Sequence, residues 1–149
     1  MSGFVDIDNA RLDVQRKVMQ DIDVAGHCPF CIENLEKYHT EPIIKKGTYW
    51  LVTKNQWPYE HTKVHYLLIN LTHVEHISQL DSAAGVELIE LAQWLSKEFG
   101  VVGGGLVMRF GDTNYSAGSV SHLHAQFIQP DIEQPGFKPV RVKLGKSPR

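Results

Sequence analysis

The stretch Ser121–Gln129, reading SHLHAQFIQ, constrains the fold of this chain more than any other. Polar and apolar residues alternate through its first part, the period-two pattern of a half-buried β-strand. On such a strand His122, His124 and Gln126 share one face, and Leu123, Ala125 and Phe127 share the other. At about 3.3 Å per residue the three polar groups make a row roughly 13 Å long. Taken alone, the pattern also fits a plain hairpin with a polar solvent face and an exposed strand glutamine.

A chain of 149 residues suits one domain with a proper core, and 42% hydrophobic with 21% charged residues is ordinary globular composition. The best helix is Ser82–Glu98, where Leu88, Leu91, Ala92, Leu95 and then Phe99 make an apolar stripe, Asp81 or Ser82 caps the start and Gly100 the end. Strands are predicted at Thr48–Thr53, Lys63–Asn70 and Leu106–Phe110, besides the histidine strand, with a short one at Val140–Leu144. A short helix is expected over residues 8–22. Residues 34–47, with Pro42 and Gly47, read as loop with a helical turn. Hairpins around one long helix predict an α+β fold: an antiparallel sheet of about five strands packed with that helix and a short N-terminal one. Neither repeats nor a second domain are expected.

A net charge of −2 excludes a global field that recruits nucleic-acid polymers. The charge is uneven, because residues 136–149 hold Lys138, Arg141, Lys143, Lys146 and Arg149 and no acid, which leaves −7 on the rest. A solvated tail is the ordinary reading; holding an anionic ligand is the functional one. No run approaches a membrane span, and the acidic Met1–Ala10 segment lacks the apolar stretch of a signal peptide. A cytoplasmic location with reduced cysteines is expected.

Cys28–Pro29–Phe30–Cys31 leaves three readings open: a metal knuckle, a redox pair similar to the glutaredoxin active site, or two buried thiols. The redox reading needs a strand before and a helix after, and Asp21–Gly26 is a poor strand. A closed zinc site needs four ligands, and Cys₂His₂ is a standard set. Eight histidines are available to complete it.

His122–Leu123–His124–Ala125–Gln126–Phe127–Ile128 resembles the signature of the histidine-triad superfamily, His-φ-His-φ-His-φ-φ with φ apolar, with Gln126 at the third histidine. His-φ-His-φ-Gln looks like the branch of galactose-1-phosphate uridylyltransferases and diadenosine tetraphosphate phosphorylases. His65–Glu75 is similar to the family's His-φ-φ-φ-φ-Pro-x-x-His-φ-Glu, with Asn70 at the proline. The resemblance spans about Cys28 to Pro130, and it implies a single histidine-triad-like domain over 1–149 with its core there.

The resemblance implies roles residue by residue. His124, the middle histidine, attacks the α-phosphorus of a nucleotide and carries the nucleotidyl group covalently. Gln126 donates to a non-bridging phosphate oxygen. Cys28, Cys31, His73 and His122 hold a structural zinc, His73 being preferred to His76. Ser119, three positions before the first histidine, binds phosphate, in a loop where Gly118 lets backbone N–H groups form an anion nest. Asn55 holds the ribose hydroxyls, and Trp57 or Tyr59 stacks on or flanks the base. The family's Asn-x-Gly is replaced by Arg109–Phe110–Gly111, so Asn114 substitutes for that asparagine or Arg109 brings a charge instead. Pairing as a homodimer through the long helix and an adjacent strand is also implied. The expected activity is cleavage of a dinucleoside polyphosphate or nucleotide sugar, with water, phosphate or a sugar phosphate as acceptor. Its rival is a zinc-stabilised nucleotide-binding module without turnover.

Overall fold

The computed structural model describes residues 3–148; Met1, Ser2 and Arg149 of the basic tail lie outside the described residues. Five antiparallel strands form one sheet: β1 (Ile43–Lys46), β2 (Trp50–Lys54), β3 (Thr62–Asn70), β4 (Gly105–Arg109) and β5 (His124–Pro130). Their order is β1-β2-β3-β5-β4, which puts β3 and β5 at the centre. The expected α+β fold is observed. Helices α1 (Asp13–Ala25), α2 (Ile32–Tyr38), α3 (Ser82–Glu98) and the single turn α4 (Thr113–Ser116) complete it, with 3-10 turns at Ile7–Asn9 and Ile77–Gln79.

The layers follow from the strand pattern. On one face Trp50, Val52, Leu68, Ala125 and Phe127 meet Ala84, Leu88, Leu91 and Leu95 of α3, all buried. Asp81 caps α3 by accepting from the Ala83 amide at 2.8 Å, and the Trp50 indole donates to the Ala84 carbonyl at 2.7 Å. On the other face Leu35 and Phe30 cover Leu51, Leu67 and Ile69. Because β3 is covered on both faces, it reads as a nearly continuous apolar run. Strand register places Leu51, Ile69, His124 and Arg109 in one row across four strands on that second face.

Several expected boundaries differ. Residues 34–47 contain all of α2 except its first two positions, and they contain edge strand β1, whose four residues are all exposed. With no buried face there is no alternation to read. The fifth strand is therefore Ile43–Lys46 rather than Val140–Leu144, which forms no strand. The N-terminal helix begins at Asp13, after the 3-10 turn.

The two ends of the chain clasp each other. Val5 bridges Val120, Asn9 Nδ2 donates to the Gly118 carbonyl at 2.8 Å, and Thr113 Oγ1 donates to Asp6 at 2.6 Å. Lys146 Nζ lies 2.8 Å from Asp6 and 3.3 Å from Asp8. Burial pushes the Asp6 pKa up, but the bonds from Lys146 and Thr113, the Lys146 charge and the Asp8 amide outweigh it and hold the carboxyl below its usual 3.8. A carboxylate depressed in the fold stabilises above its unfolded pKa, and that contribution disappears as pH falls through the lower folded value. Asp6→Asn should therefore melt below wild type at pH 7, with the difference closing below about pH 3.8. Thermal melts that differ equally at both pH values would contradict the clasp.

Candidate functional site

Two side-chain clusters meet on the second face of the sheet, at the entrance to β5. The first joins Cys28 and Cys31 to His73 and His122, whose ligand atoms all lie within 4.8 Å of one another. His122 Nδ1 is 3.3 Å from Cys28 Sγ, 3.7 Å from Cys31 Sγ and 3.1 Å from His73 Nδ1. His73 Nδ1 is 3.5 Å from Cys31 Sγ. Zinc-sized tetrahedral sites with Cys and His ligands have edges of about 3.3–3.8 Å, from bond lengths of about 2.3 and 2.0–2.1 Å.

The outer bonds of the two imidazoles decide what the cluster wants. His122 Nε2 lies 2.6 Å from the Asn70 carbonyl, so it carries the ring proton and leaves Nδ1 with a lone pair. His73 Nε2 is likewise 2.9 Å from a Glu75 carboxylate oxygen. Two lone pairs thus converge at 3.1 Å beside two thiols, a donor set that a cation lying between them would satisfy. The residues fit a metal ion. Burial, then the neighbouring Cys28, pushes the Cys31 thiol up to about 12, and burial pushes His122 down to about 4. A bound cation reverses the thiol shift, because a coordinating thiol is deprotonated outright. His76 is engaged elsewhere: it caps the Ile77–Gln79 turn through Nδ1 and packs edge-on against Phe110. A helix does follow the cysteine pair, but the element before it is helix α1, not the strand that a glutaredoxin-like redox site needs.

The second cluster surrounds His124. Its Nδ1 lies 2.7 Å from the His122 carbonyl, which can only accept, so Nδ1 carries the proton and Nε2 presents the lone pair. Burial, and next the charge of Arg109, push its pKa down to about 4 against the His122 bond, so the ring is neutral at pH 7. The Phe30 ring meets it edge-on at 5.0 Å.

Behind His124 runs a polar chain whose proton positions can be followed. The Tyr59 amide donates to His65 Nδ1 at 3.0 Å, so the proton of neutral His65 sits on Nε2 and goes to Gln126 Oε1 at 2.6 Å. Burial first, then the Arg11 and Arg109 charges, hold His65 down at about 4 although Gln126 opposes them, so the neutral form persists at pH 7. Gln126 Nε2 then donates to the Tyr59 hydroxyl oxygen at 3.0 Å, and that oxygen also accepts from Arg109 Nη1 at 3.0 Å. Asn55 Nδ2 sits 3.1 Å from the protonated His65 Nε2 and cannot donate to it, while its Oδ1 accepts from the Trp57 amide at 2.7 Å.

A cleft opens over this chain. His124, Gln126, Asn55, Ser119, Trp57 and Tyr59 line it, with an apolar end formed by Phe30 and by Met19 and Ile22 of α1. Asn114 does not line it; the Asn114 carbonyl accepts from the Lys146 amide outside the cleft. Arg109 stands on the wall instead. The anion nest expected around Gly118 loses one donor, because that N–H is bonded to Ser116 Oγ at 3.1 Å. His65, which bonds Gln126, and Arg11, Asn9 and α1, which line the cleft, are neighbours of the candidate site to which the sequence reading gave no role. For His65 a signal existed: a histidine on β3 two residues before Leu67, itself directly opposite Gln126. For the N-terminal wall there was none.

No family model matches the sequence, and a search of curated proteins returns no match. Solved structures do match in fold. A hypothetical histidine-triad nucleotide-binding protein from Sulfolobus tokodaii shares 22% identity at TM-score 0.54, over 80% of this chain and 81% of its own. A zinc-bound histidine-triad protein from Mycobacterium smegmatis shares 16% at 0.53, over 80% and 84%. A HIT family hydrolase from Legionella pneumophila shares 18% at 0.52, over 64% and 88%. The chain therefore has the histidine-triad fold. Among the described residues no helix is long and apolar enough to cross a membrane.

Purified protein should carry about one metal ion per chain. Cys28→Ser should lose both the metal and thermal stability, since structural sites of this kind contribute roughly 10–16 kcal/mol of apparent binding energy. Metal analysis near zero, together with an unaltered melt for Cys28→Ser, would contradict the site.

Proposed function

We propose that this chain is a histidine-triad nucleotidyl transferase or hydrolase acting on phosphoric anhydride bonds of a dinucleoside polyphosphate or nucleotide sugar. The observation that carries this reading is the orientation of His124: Nδ1 bonded to the His122 carbonyl and Nε2 left as a lone pair on the cleft. Nucleophilic catalysis needs such a group, neutral and held in one tautomer. His124 Nε2 attacks the α-phosphorus. A P–N bond forms, and the P–O bond to the leaving phosphate breaks, with the electron pair leaving on oxygen. An acceptor oxygen from water, phosphate or a sugar phosphate then attacks phosphorus, the P–N bond breaks, and the acceptor proton passes to solvent.

Gln126 supports both steps. Its carbonyl is engaged by His65 and one N–H by Tyr59, so the amide plane is held and the second N–H remains for a phosphate oxygen. Ser119, which also lines the cleft, and Asn55, with its unengaged amide donors, suit phosphate and ribose. Cys28, Cys31, His73 and His122 would hold zinc, the usual ion for a Cys₂His₂ set. Zinc there supplies a cross-link between the cysteine knuckle and β5, and takes no part in the chemistry.

His124→Ala should lower turnover of a responsive nucleotide by several orders of magnitude, approaching the roughly 10⁶ of other nucleophile deletions, with nucleotide binding retained. Gln126→Ala should cost about 10²–10³ in kcat. Steady-state kinetics on a panel of dinucleoside polyphosphates and nucleotide sugars, with and without added phosphate, checks both. Substantial turnover by His124→Ala would overturn the mechanism. Wild-type protein that binds nucleotides yet turns over none of them would favour the binding module.

A further inference from the structure

The wall beside His124 carries more positive charge than one transferred phosphate needs. Arg109 is the cross-strand partner of His124 in the β4–β5 register. Side chains of such pairs start about 4.5–5.5 Å apart at Cβ. Arg11 lies across Tyr59, its guanidinium carbon 4.4 Å from the ring centroid and one N–H on the Trp57 carbonyl. Neither arginine forms an ion pair among the described residues. The charge of Glu60 reaches Arg11 without contact. No aspartate or glutamate is among the described residues that line the cleft, although acids outnumber bases in the chain.

The hydrogen-bond inventory points the same way. Arg109 has five N–H groups. Nε and Nη2 each direct one to the Lys143 carbonyl, at 3.1 and 2.9 Å, and Nη1 directs one to Tyr59, so two remain. The Tyr59 oxygen already accepts from Gln126 and Arg109, which fills its two acceptor positions and leaves its own proton to donate. Each acceptor atom in this chain of groups already takes a hydrogen bond, and the hydrogens left unengaged belong to donors. A set of fixed donors with two unpaired guanidiniums is matched by a phosphate with its full charge.

We propose that Arg109, Arg11 and the Tyr59 hydroxyl form a second phosphate subsite, for the phosphate attached to the one that His124 attacks. This rests on the reading of His124 as nucleophile and names the residues that recognise the leaving phosphate of its substrates. The preferred substrates carry a phosphate-terminated leaving group, as nucleoside di- and polyphosphates do, over nucleotides whose α-phosphorus bears an amine or nothing further. Attack and resolution are in-line displacements at the same phosphorus atom of one His124 adduct. The subsite that releases the leaving phosphate therefore also receives an accepting phosphate, and inorganic phosphate is the acceptor it fits.

The test is calorimetric and needs no turnover. Wild type should bind ADP or UDP at least 10-fold more tightly than the matching monophosphate. Arg109→Gln and Arg11→Gln should each collapse that ratio by about 10–150-fold or to unity, the loss expected for a hydrogen bond to a charged group. Arg109→Lys should restore part of it. Equal weakening of mono- and diphosphate by Arg109→Gln would mean a merely structural role and overturn the subsite, as would a wild-type ratio near one or no binding of either. Turnover measured alongside separates the two readings: a preserved ratio effect without any nucleotidyl transfer sinks the nucleophile and leaves the subsite, and transfer without the ratio effect does the reverse.

Discussion

The structure depends on the junction of Cys28, Cys31, His73 and His122. It ties three distant parts of the chain together at the point where β5 begins: the knuckle after α1, the loop after β3, and the residue two before His124. The bond from His122 to the Asn70 carbonyl turns its other nitrogen towards the thiols. The carbonyl of the same His122 fixes the tautomer of His124. One residue thus links a metal-competent cluster to a nucleophile-competent imidazole, through its ring on one side and its backbone on the other. Displacing the knuckle would also move Phe30, which packs against both His122 and His124.

The cleft is a product of the chain ends as much as of the sheet. Helix α1 supplies its apolar wall, and the N-terminal strand-like segment is stitched to the loop before β5 by Val5, Asp6 and Asn9. The C-terminal tail returns to close the clasp through Lys146 and to hold the Arg109 fork through the Lys143 carbonyl. The basic tail therefore acts partly through a neutral backbone atom. The positive wall itself is made by Arg109 and Arg11, far apart in sequence and both brought into contact with Tyr59.

What was legible in the sequence was whatever has a period or a local spacing. The α3 stripe, the apolar run of β3 and the alternation around His124 each follow from burial on known faces. Strand β1 was not legible because both its faces are exposed. Helix α2 was hidden because Leu35 is its one buried residue. Of the candidate site, Cys28, Cys31, His73 and His122 converge, and Asn55, Ser119, His124 and Gln126 line one cleft, while Asn114 lies outside it. The roles of His65 and Tyr59 come from side-chain contacts that reach β5 from β3 and from the β2–β3 connection respectively, and Arg11 enters only because the termini clasp. No local pattern encodes those distances.

The central claim is that His124 forms a covalent bond to phosphorus. Rapid mixing of the protein with a panel of dinucleoside polyphosphates and nucleotide sugars, a denaturing quench that preserves phosphoramidates, and intact-mass measurement test it directly. The account predicts a mass gain equal to one nucleotidyl group, mapped to His124 by peptide fragmentation and absent in His124→Ala. Turnover of a nucleotide with no adduct at any quench time, or an adduct that persists in His124→Ala, would contradict it.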